Sequence, residues 1–414
     1  MGRLLKFITI LVVCIINLKT IANAQTEVDE RAMINFENGL GFNAPDGSFG
    51  INLRFRVQNR LGFTSLSGKD LSIDEVDARI RRLRLRFDGF AFSENITYNL
   101  QLSFSRSDIE WDWDYEETPN VIRDAMVYYS FSDNFYIGFG QGKLPGNRQR
   151  INSSGQLQFT DRSMVNARFN IDRDFGVMGY YSNHISGLHY NIKTAVSTGE
   201  GRNVIPSGDG GFAYTGRVEL LPLGRFSGNG DFSEGDLERE PAPKLSVAGG
   251  YSFNHKASRT LGQRGSPLYQ SRDIKSRFLD AVIKYRGWAA LGEYSDRNAD
   301  DPLTVSPSGA EYSHVVTGYG INMQLSYIFR NNLEIAGRYT YINPENITDD
   351  GFDGNQALIS DPITEEYTLG VTRYIINHKL KVQGNLGYRI TENLTPASSP
   401  GSNWILHFQV ELGI

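Results

Sequence analysis

The sequence contains a single cysteine, Cys14. It lies in an N-terminal stretch that reads as a secretory signal, residues 1–24. Arg3 and Lys6 form a positive start, Phe7 to Leu18 a short apolar core, and Ala22-Asn23-Ala24 a small-x-small cleavage site before Gln25. The core is too short to cross about 30 Å of hydrocarbon as a helix. A lipoprotein signal centred on Cys14 is disfavoured, because Leu11-Val12-Val13 are not small and apolar residues continue past it. After cleavage no thiol remains, which excludes disulfides and Cys-ligated metals.

Long hydrophobic runs are also missing. Nowhere after residue 24 do 18 apolar residues follow one another, so no transmembrane helix is available. An excess of basic charge is missing as well. The chain has 42 Lys+Arg and 47 Asp+Glu; the signal carries Arg3, Lys6 and Lys19 and no acid, which leaves 39 against 47, a net of −8. A generic nucleic-acid binder would be basic. Catalytic signatures are absent too. The histidines (His184, His189, His255, His314, His378, His407) are scattered, without a His-Glu-x-x-His pair, and there is neither a Gly-x-Ser-x-Gly elbow nor a Walker loop. The expectation is no enzyme, no cofactor and no metal site.

What the chain does have is glycine (43), tyrosine (21) and phenylalanine (24), and a two-residue alternation. Over 49–60, Phe49, Ile51, Leu53, Phe55 and Val57 share one face; Asn52, Arg54, Arg56, Gln58 and Arg60 share the other. A helix would scramble these sets at its 3.6-residue period. The same pattern recurs at 96–105, 315–329 and 380–389, and at the end, where Trp404, Leu406, Phe408, Val410 and Leu412 alternate with His407, Gln409 and Glu411. Segments of about ten residues with apolar-out, polar-in alternation are the mark of a transmembrane β-barrel. A soluble sandwich shows the same alternation strand by strand, but a single core of this many long strands would be unusual.

Connections alternate in length. Very short ones fall at 93–95, 132–134, 286–287, 330–332 and 377–379, and long polar ones at 63–78, 106–120, 144–172, 199–210, 256–274, 298–312, 343–363 and 391–402. Short periplasmic turns and long outer loops are the outer-membrane arrangement. The reading is an all-β transmembrane antiparallel barrel over 49–414, preceded by a periplasmic lead at 25–48, in a Gram-negative outer membrane. Sixteen strands are expected, one of them at 313–329. Residues 222–243 break the rule. They are either a periplasmic excursion or a missed hairpin that would raise the count to 18.

With the strands placed, several short motifs follow in order. Asp46-Gly47-Ser48-Phe49 leads into Arg54-Phe55-Arg56-Val57-Gln58, followed by Ala78-Arg79-Ile80-Arg81-Arg82-Leu83-Arg84 and Arg123-Asp124-Ala125-Met126-Val127-Tyr128-Tyr129. Then come Gly140-Gln141-Gly142-Lys143-Leu144-Pro145, Asp161-Arg162-Ser163 and Arg173-Asp174-Phe175-Gly176-Val177. In these the chain resembles the phosphate-selective porin O/P family, in the form common in Bacteroidetes. The match is good over the first half and weak beyond about residue 200. The resemblance implies a homotrimeric 16-stranded porin whose third long loop folds into the lumen, and 144–172 is similar to that loop. Many such barrels end in Phe; this one ends in Ile414.

Arginine is the notable constellation. Arg54, Arg56 and Arg60 share one face of the first strand, and Arg82, Arg84 and Arg86 one face of the second, opposite Leu83, Leu85 and Phe87. All six should face the lumen. A hairpin closing near residue 71 would set Arg60 across from Arg82 and Arg56 across from Arg86. Like charges directly opposite are destabilising, and arginine does not shed its proton. A ring of basic side chains suits an anion pore, and the guanidinium fork suits phosphate or carboxylate. The bland alternative is neutralisation by Asp74, Glu75 and Asp77, or by Asp161, Asp172 and Asp174. Within 143–173, Lys143, Arg148, Arg150, Arg162, Arg168 and Arg173 outnumber Asp161 and Asp172. For these the alternative is ordinary loop solvation. Arg79 and Arg81 could instead contact lipopolysaccharide at the rim.

The acidic, aromatic stretch Asp108 to Glu117 would repel anions at an outer mouth. The expected function is passive diffusion of small hydrophilic solutes with an anion, phosphate-like preference. The alternatives are a surface-interaction barrel with a blocked lumen and a carbohydrate or other specific-substrate channel.

Overall fold

A computed structural model describes residues 33–35, 39–106, 120–203, 211–309, 311–345, 347–349, 357–359, 361–392 and 401–414. The signal segment 1–24 and the acidic stretch 108–117 lie outside the described residues.

Sixteen antiparallel strands form the wall. In chain order they are β1 (Phe49–Ser65), β2 (Ile73–Ala91), β3 (Ser93–Ser103), β4 (Ile122–Ser132), β5 (Phe135–Lys143), β6 (Arg173–Ile185), β7 (Leu188–Ser197) and β8 (Ala213–Leu221). There follow β9 (Lys244–Arg259), β10 (Pro267–Tyr285), β11 (Trp288–Ala299), β12 (Gly318–Ile328), β13 (Leu333–Pro344), β14 (Ile363–Ile376), β15 (Leu380–Glu392) and β16 (Gly401–Gly413). Each pairs with its neighbour in sequence, and β16 closes on β1, with Leu406 opposite Phe63 and Gln409 opposite Arg60. Closure leaves no run of unpaired backbone groups facing hydrocarbon, where each would cost several kcal/mol. β16 covers β1 only as far as Arg56. Below that, a lead strand at Leu40–Asn43 takes over, with Leu40 opposite Leu53, and it pairs in turn with Met33–Asn35.

The expected strand at 313–329 starts later, at Gly318. Tyr312–His314 instead pairs with Leu303–Val305 in a small outer hairpin. The alternation that suggested one long strand belongs to two segments.

The outward face is apolar, as the alternation requires. Phe139, Val177, Val218, Leu279, Met323, Leu325, Leu369 and Phe408 are all exposed on it. Tyrosine and tryptophan gather towards the strand ends, as in the ring pairs Trp288–Tyr327 at 4.8 Å and Tyr388–Trp404 at 4.7 Å. That is where amphipathic rings sit in a membrane.

The β1–β2 hairpin differs from the expected register. Arg54 faces Arg86, Arg56 faces Arg84, Gln58 faces Arg82 and Arg60 faces Arg79. The outer turn closes tighter than expected, with Leu66 N–H on the Ser72 carbonyl and Ser67 N–H on Asp70. One extra residue, Arg81, is then absorbed as a bulge between the Gln58 and Asn59 pairings. Arg81 and Arg82 consequently reach the same carboxylate, that of Asp161. Arg81 is therefore an inward residue, not a rim residue.

Residues 222–243 add no wall strand; the count stays at sixteen. The segment leaves the short-turn end and folds back inside the barrel. Gly228 and Asn229 adopt left-handed backbone, at φ 57° and 55°, to reverse it. Its buried acids then find partners. Asp236 accepts from Gly287 N–H at 2.6 Å, and Glu240 accepts from Ser227 N–H at 2.6 Å. Lys284 on β10 donates to the Gly230 carbonyl, the Ser233 hydroxyl and the Gly235 carbonyl at 2.7, 3.0 and 2.6 Å. All three ammonium protons thus find acceptors, as a buried lysine requires.

Candidate functional site: an arginine-lined lumen

The connection 144–172 turns into the barrel and is held there side by side with 222–243. It carries two short helices, α1 (Arg148–Ile151) and α2 (Met164–Phe169), the second capped by the Ser163 hydroxyl on Asn166 N–H. On the β8–β15 side it is packed tightly against the wall. Arg148 is fully buried; its Nε meets Asp280 at 2.9 Å and its Nη1 meets the Asp231 carbonyl at 3.1 Å. Arg297 holds the end of α2 through the Arg168 and Asn170 carbonyls. Lys381 donates to the Gly155 and Leu157 carbonyls at 3.0 and 2.7 Å. Glu234 of the periplasmic segment accepts from the Gln149 amide and the Gln158 N–H. These buried charges and amides fix the inward loop to the wall.

Towards β1–β5 the loop stands off the wall and leaves space. A cavity of about 540 Å³ lies on the periplasmic side of the loop, between it and β1–β6. Among the described residues its lining carries seven basic side chains, including Arg54, Arg56, Arg84 and Arg86, against two acidic ones, Asp124 and Glu411. A second cavity of about 260 Å³ lies on the other side of the loop. Among the described residues it too has seven basic side chains, including Arg82, Arg84, Arg123 and Arg150, against Asp161 and Asp172. Arg84 belongs to both linings.

The wall arginines divide into two groups. Arg60 and Arg82 are buried and tied down. Arg60 donates to Asp161 at 2.5 Å and to Asp77 at 2.5 Å, and Arg82 to Asp161 at 2.7 Å and Gln58 at 2.7 Å. Asp161 therefore gathers Arg60, Arg81 and Arg82. Burial opposes its ionisation, but the guanidiniums of Arg81, Arg82 and Arg60 more than reverse this and hold its carboxyl well below the usual carboxylate range. Asp172 is held low in the same way, with burial outweighed by Arg150 and Arg173.

The second group faces the larger cavity. Arg54 and Arg86 share one acid, Asp88, with Arg86 Nε at 3.0 Å. Arg56 and Arg84 both donate to the Ser154 hydroxyl, at 2.7 and 2.9 Å, and Arg56 has Glu411 only at 3.8 Å. Two cross-strand arginine pairs thus stand against a shared aspartate and a serine. Neither Asp88 nor Ser154 was named from the sequence; Asp88 continues the parity of 82, 84 and 86, a signal that would have found it, whereas Ser154 has none.

The loop residues divide likewise. Lys143 lines the larger cavity and ties Ile151 and Asn152 through their carbonyls. Arg150, Asp161 and Arg162 line the smaller one. Arg148 and Arg168 line neither; Arg168 pairs with Asp361. Solvation of Arg148 by the loop surroundings is overturned, because it is wholly buried.

Residues 51–222 match the family model of phosphate-selective porin O and P. None of the curated proteins matches the chain significantly. Among solved structures, an anion-selective porin from Comamonas acidovorans superposes with a TM-score of 0.53 at 13% identity, over 88% of this chain and 99% of that one. The outer membrane channel DcaP of Acinetobacter baumannii gives 0.52 at 12% identity, over 90% and 99%. OmpT of Vibrio cholerae, an outer membrane protein solved in a trimer form, gives 0.50 at 11%, over 88% and 99%. At these identities the likeness is one of fold: a closed 16-stranded porin barrel. Family match and fold together support an outer-membrane channel.

Proposed function

We propose that this chain forms a passive outer-membrane diffusion channel that prefers anions, with the inward loop 144–172 as its constriction. The observation that carries this is Arg84, common to two cavities on either side of that loop, each with seven basic side chains against two acidic ones among the described residues. A lining of one sign attracts counter-ions and admits the opposite charge preferentially. Guanidinium groups at Arg54, Arg56, Arg84 and Arg86 favour phosphate-like or carboxylate solutes. No catalytic residue, cofactor or metal is assigned. The trimer form of the Vibrio cholerae protein supports a homotrimer, and the apolar outer face supports lipid and lipopolysaccharide as surroundings in a Gram-negative outer membrane.

The test is the reversal potential of the pure protein in a planar bilayer under a salt gradient. Cation preference would sink the anion claim. A second reading is favoured by one observation: loop 144–172 and segment 222–243 fill much of the lumen from opposite ends. It is a surface-interaction barrel with a blocked lumen, and it predicts no conductance at all.

A further inference from the structure

We propose that the space on the periplasmic side of the inward loop is a binding site for organic anions that carry an aromatic ring. This rests on the anion-channel reading above. Two cavities adjoin there. The larger, of about 540 Å³, presents the arginines of β1 and β2. The smaller, of about 290 Å³, lies between the inward loop and segment 222–243, and its wall includes Leu144, Pro145, Leu221, Phe226 and Phe232. Lys143, Ile151 and Tyr180 belong to both linings, so the two are lobes of one chamber.

The lobes differ in chemistry. The second lobe also carries Lys143, Lys193 and Arg225 beside Asp231, but only the first presents guanidiniums in cross-strand pairs, the arrangement that suits an inorganic anion. Apolar and aromatic wall does nothing for a small hydrated ion; what gains from it is a ring leaving water. The aromatic surface is pre-arranged. Tyr136 and Tyr180 stack at 4.5 Å with 14° between their planes, and Tyr128 meets Tyr180 edge-on at 6.3 Å. Tyr128 lines the first lobe, Tyr136 the second and Tyr180 both. Phe232 forms the far wall, with Lys193 Nζ over its ring at 4.6 Å. Lys193 is itself held by Glu219 at 2.9 Å, so it adds little free charge to the second lobe. A molecule with its charge on Arg86 and its ring between Tyr136 and Phe232 would satisfy both lobes at once.

The experiment is block of the chloride current through the full mature protein in a planar bilayer. Phenyl phosphate is compared with inorganic phosphate, which has the same head and no ring, and with benzyl alcohol, which has the ring and no charge. The expected result is half-block by phenyl phosphate at a concentration at least tenfold below that for phosphate, and no block by benzyl alcohol. In Phe232→Ser and in Tyr136→Ser the tenfold gap should close while phosphate block stays as it was; Arg86→Gln should weaken both anions. Phe232 lies on the periplasmic segment rather than the wall, so its variant keeps the barrel, which retained conductance verifies. Equal half-block concentrations in the unaltered protein, or a gap that survives in both ring variants, overturns the proposal. Neither result touches the anion reading, which stands or falls on the reversal potential.

Discussion

Arg82 Nη2 donates to Asp161 at 2.7 Å across 79 positions of sequence. A wall arginine and an acid of the inward loop therefore hold each other in the lumen, and Arg60 and Arg81 converge on the same carboxylate. This docking and the proposed anion selectivity fall on different members of the arginine column.

Arg82 should govern the loop, and Arg84 and Arg86 the selectivity. In Arg84→Gln and Arg86→Gln the anion-to-cation permeability ratio is expected to fall about twofold or more, since one unit charge beside a narrow path shifts the local potential by on the order of kT. Arg82→Gln should leave that ratio nearly unchanged and raise current noise. Reversal potentials and noise spectra from the same membranes separate the two; a ratio unmoved by Arg84→Gln and Arg86→Gln together would mean that Asp88 and Glu411 already neutralise the lining.

The docking of the loop should ignore pH over the ordinary range. The folded-state carboxyls of Asp161 and Asp172 are depressed, so the stability they contribute is present above the usual aspartate value of 3.8 and is lost only as pH falls through the lower folded value. Open-channel noise should be flat from about pH 8 down to about pH 4 and rise only below that. Asp161→Asn should show the noise at neutral pH.

Segment 222–243 should narrow the path from the periplasmic side. Replacing Phe226 to Glu240 by a two-residue turn, such as those of other hairpins in this barrel, is expected to raise single-channel conductance severalfold. Lys284→Ala, which strands three acceptors at Gly230, Ser233 and Gly235, should produce part of that rise. Unchanged conductance in both would mean that the segment lies off the conducting path.

Asp280 accepts from Arg148 Nε at 2.9 Å and from Arg217 Nη1 at 2.7 Å, with all three side chains buried. Asp280→Ala leaves two buried cations short of an acid and should cost about 3–5 kcal/mol in denaturant unfolding of the refolded barrel. Adding Arg148→Met should recover part of that loss, because one stranded charge is removed with its partner.

The wall was legible because a barrel strand writes its two environments into alternate residues. Arg54, Arg56, Arg84 and Arg86 could be assigned to the lumen from Leu53, Phe55, Leu85 and Phe87 alone. The pairing between strands was less legible. Alternation fixes which face a residue takes, but register depends on how Leu66 to Ser72 turn and on where an extra residue is absorbed. The fate of 222–243 was invisible in sequence. Glu234 reads as a loop acid until Gln149 and Gln158, some eighty positions earlier, are brought beside it. The ring cluster was hidden for the same reason. Parity puts Tyr128 and Tyr129 on opposite faces, but only the pairing of β4, β5 and β6 brings Tyr136 and Tyr180 beside Tyr128.

The single extra residue at Arg81 acts as a phase shift in the wall. Below it the even-numbered residues Arg82, Arg84 and Arg86 face inward; beyond it the odd-numbered Asp77 and Arg79 share the face of Arg60. Insertions and deletions are usually absorbed by loops, but here the strand itself counts. Deleting Arg81 would remove the bulge and leave Arg79 and Asp77 on the face of Arg60, whereas flattening the bulge with Arg81 kept would turn Asp77 and Arg79 out towards hydrocarbon, with Val76 and Ile80 turned in. Homologous chains one residue shorter in this stretch should therefore lack the bulge and keep the same inward face on both sides of it.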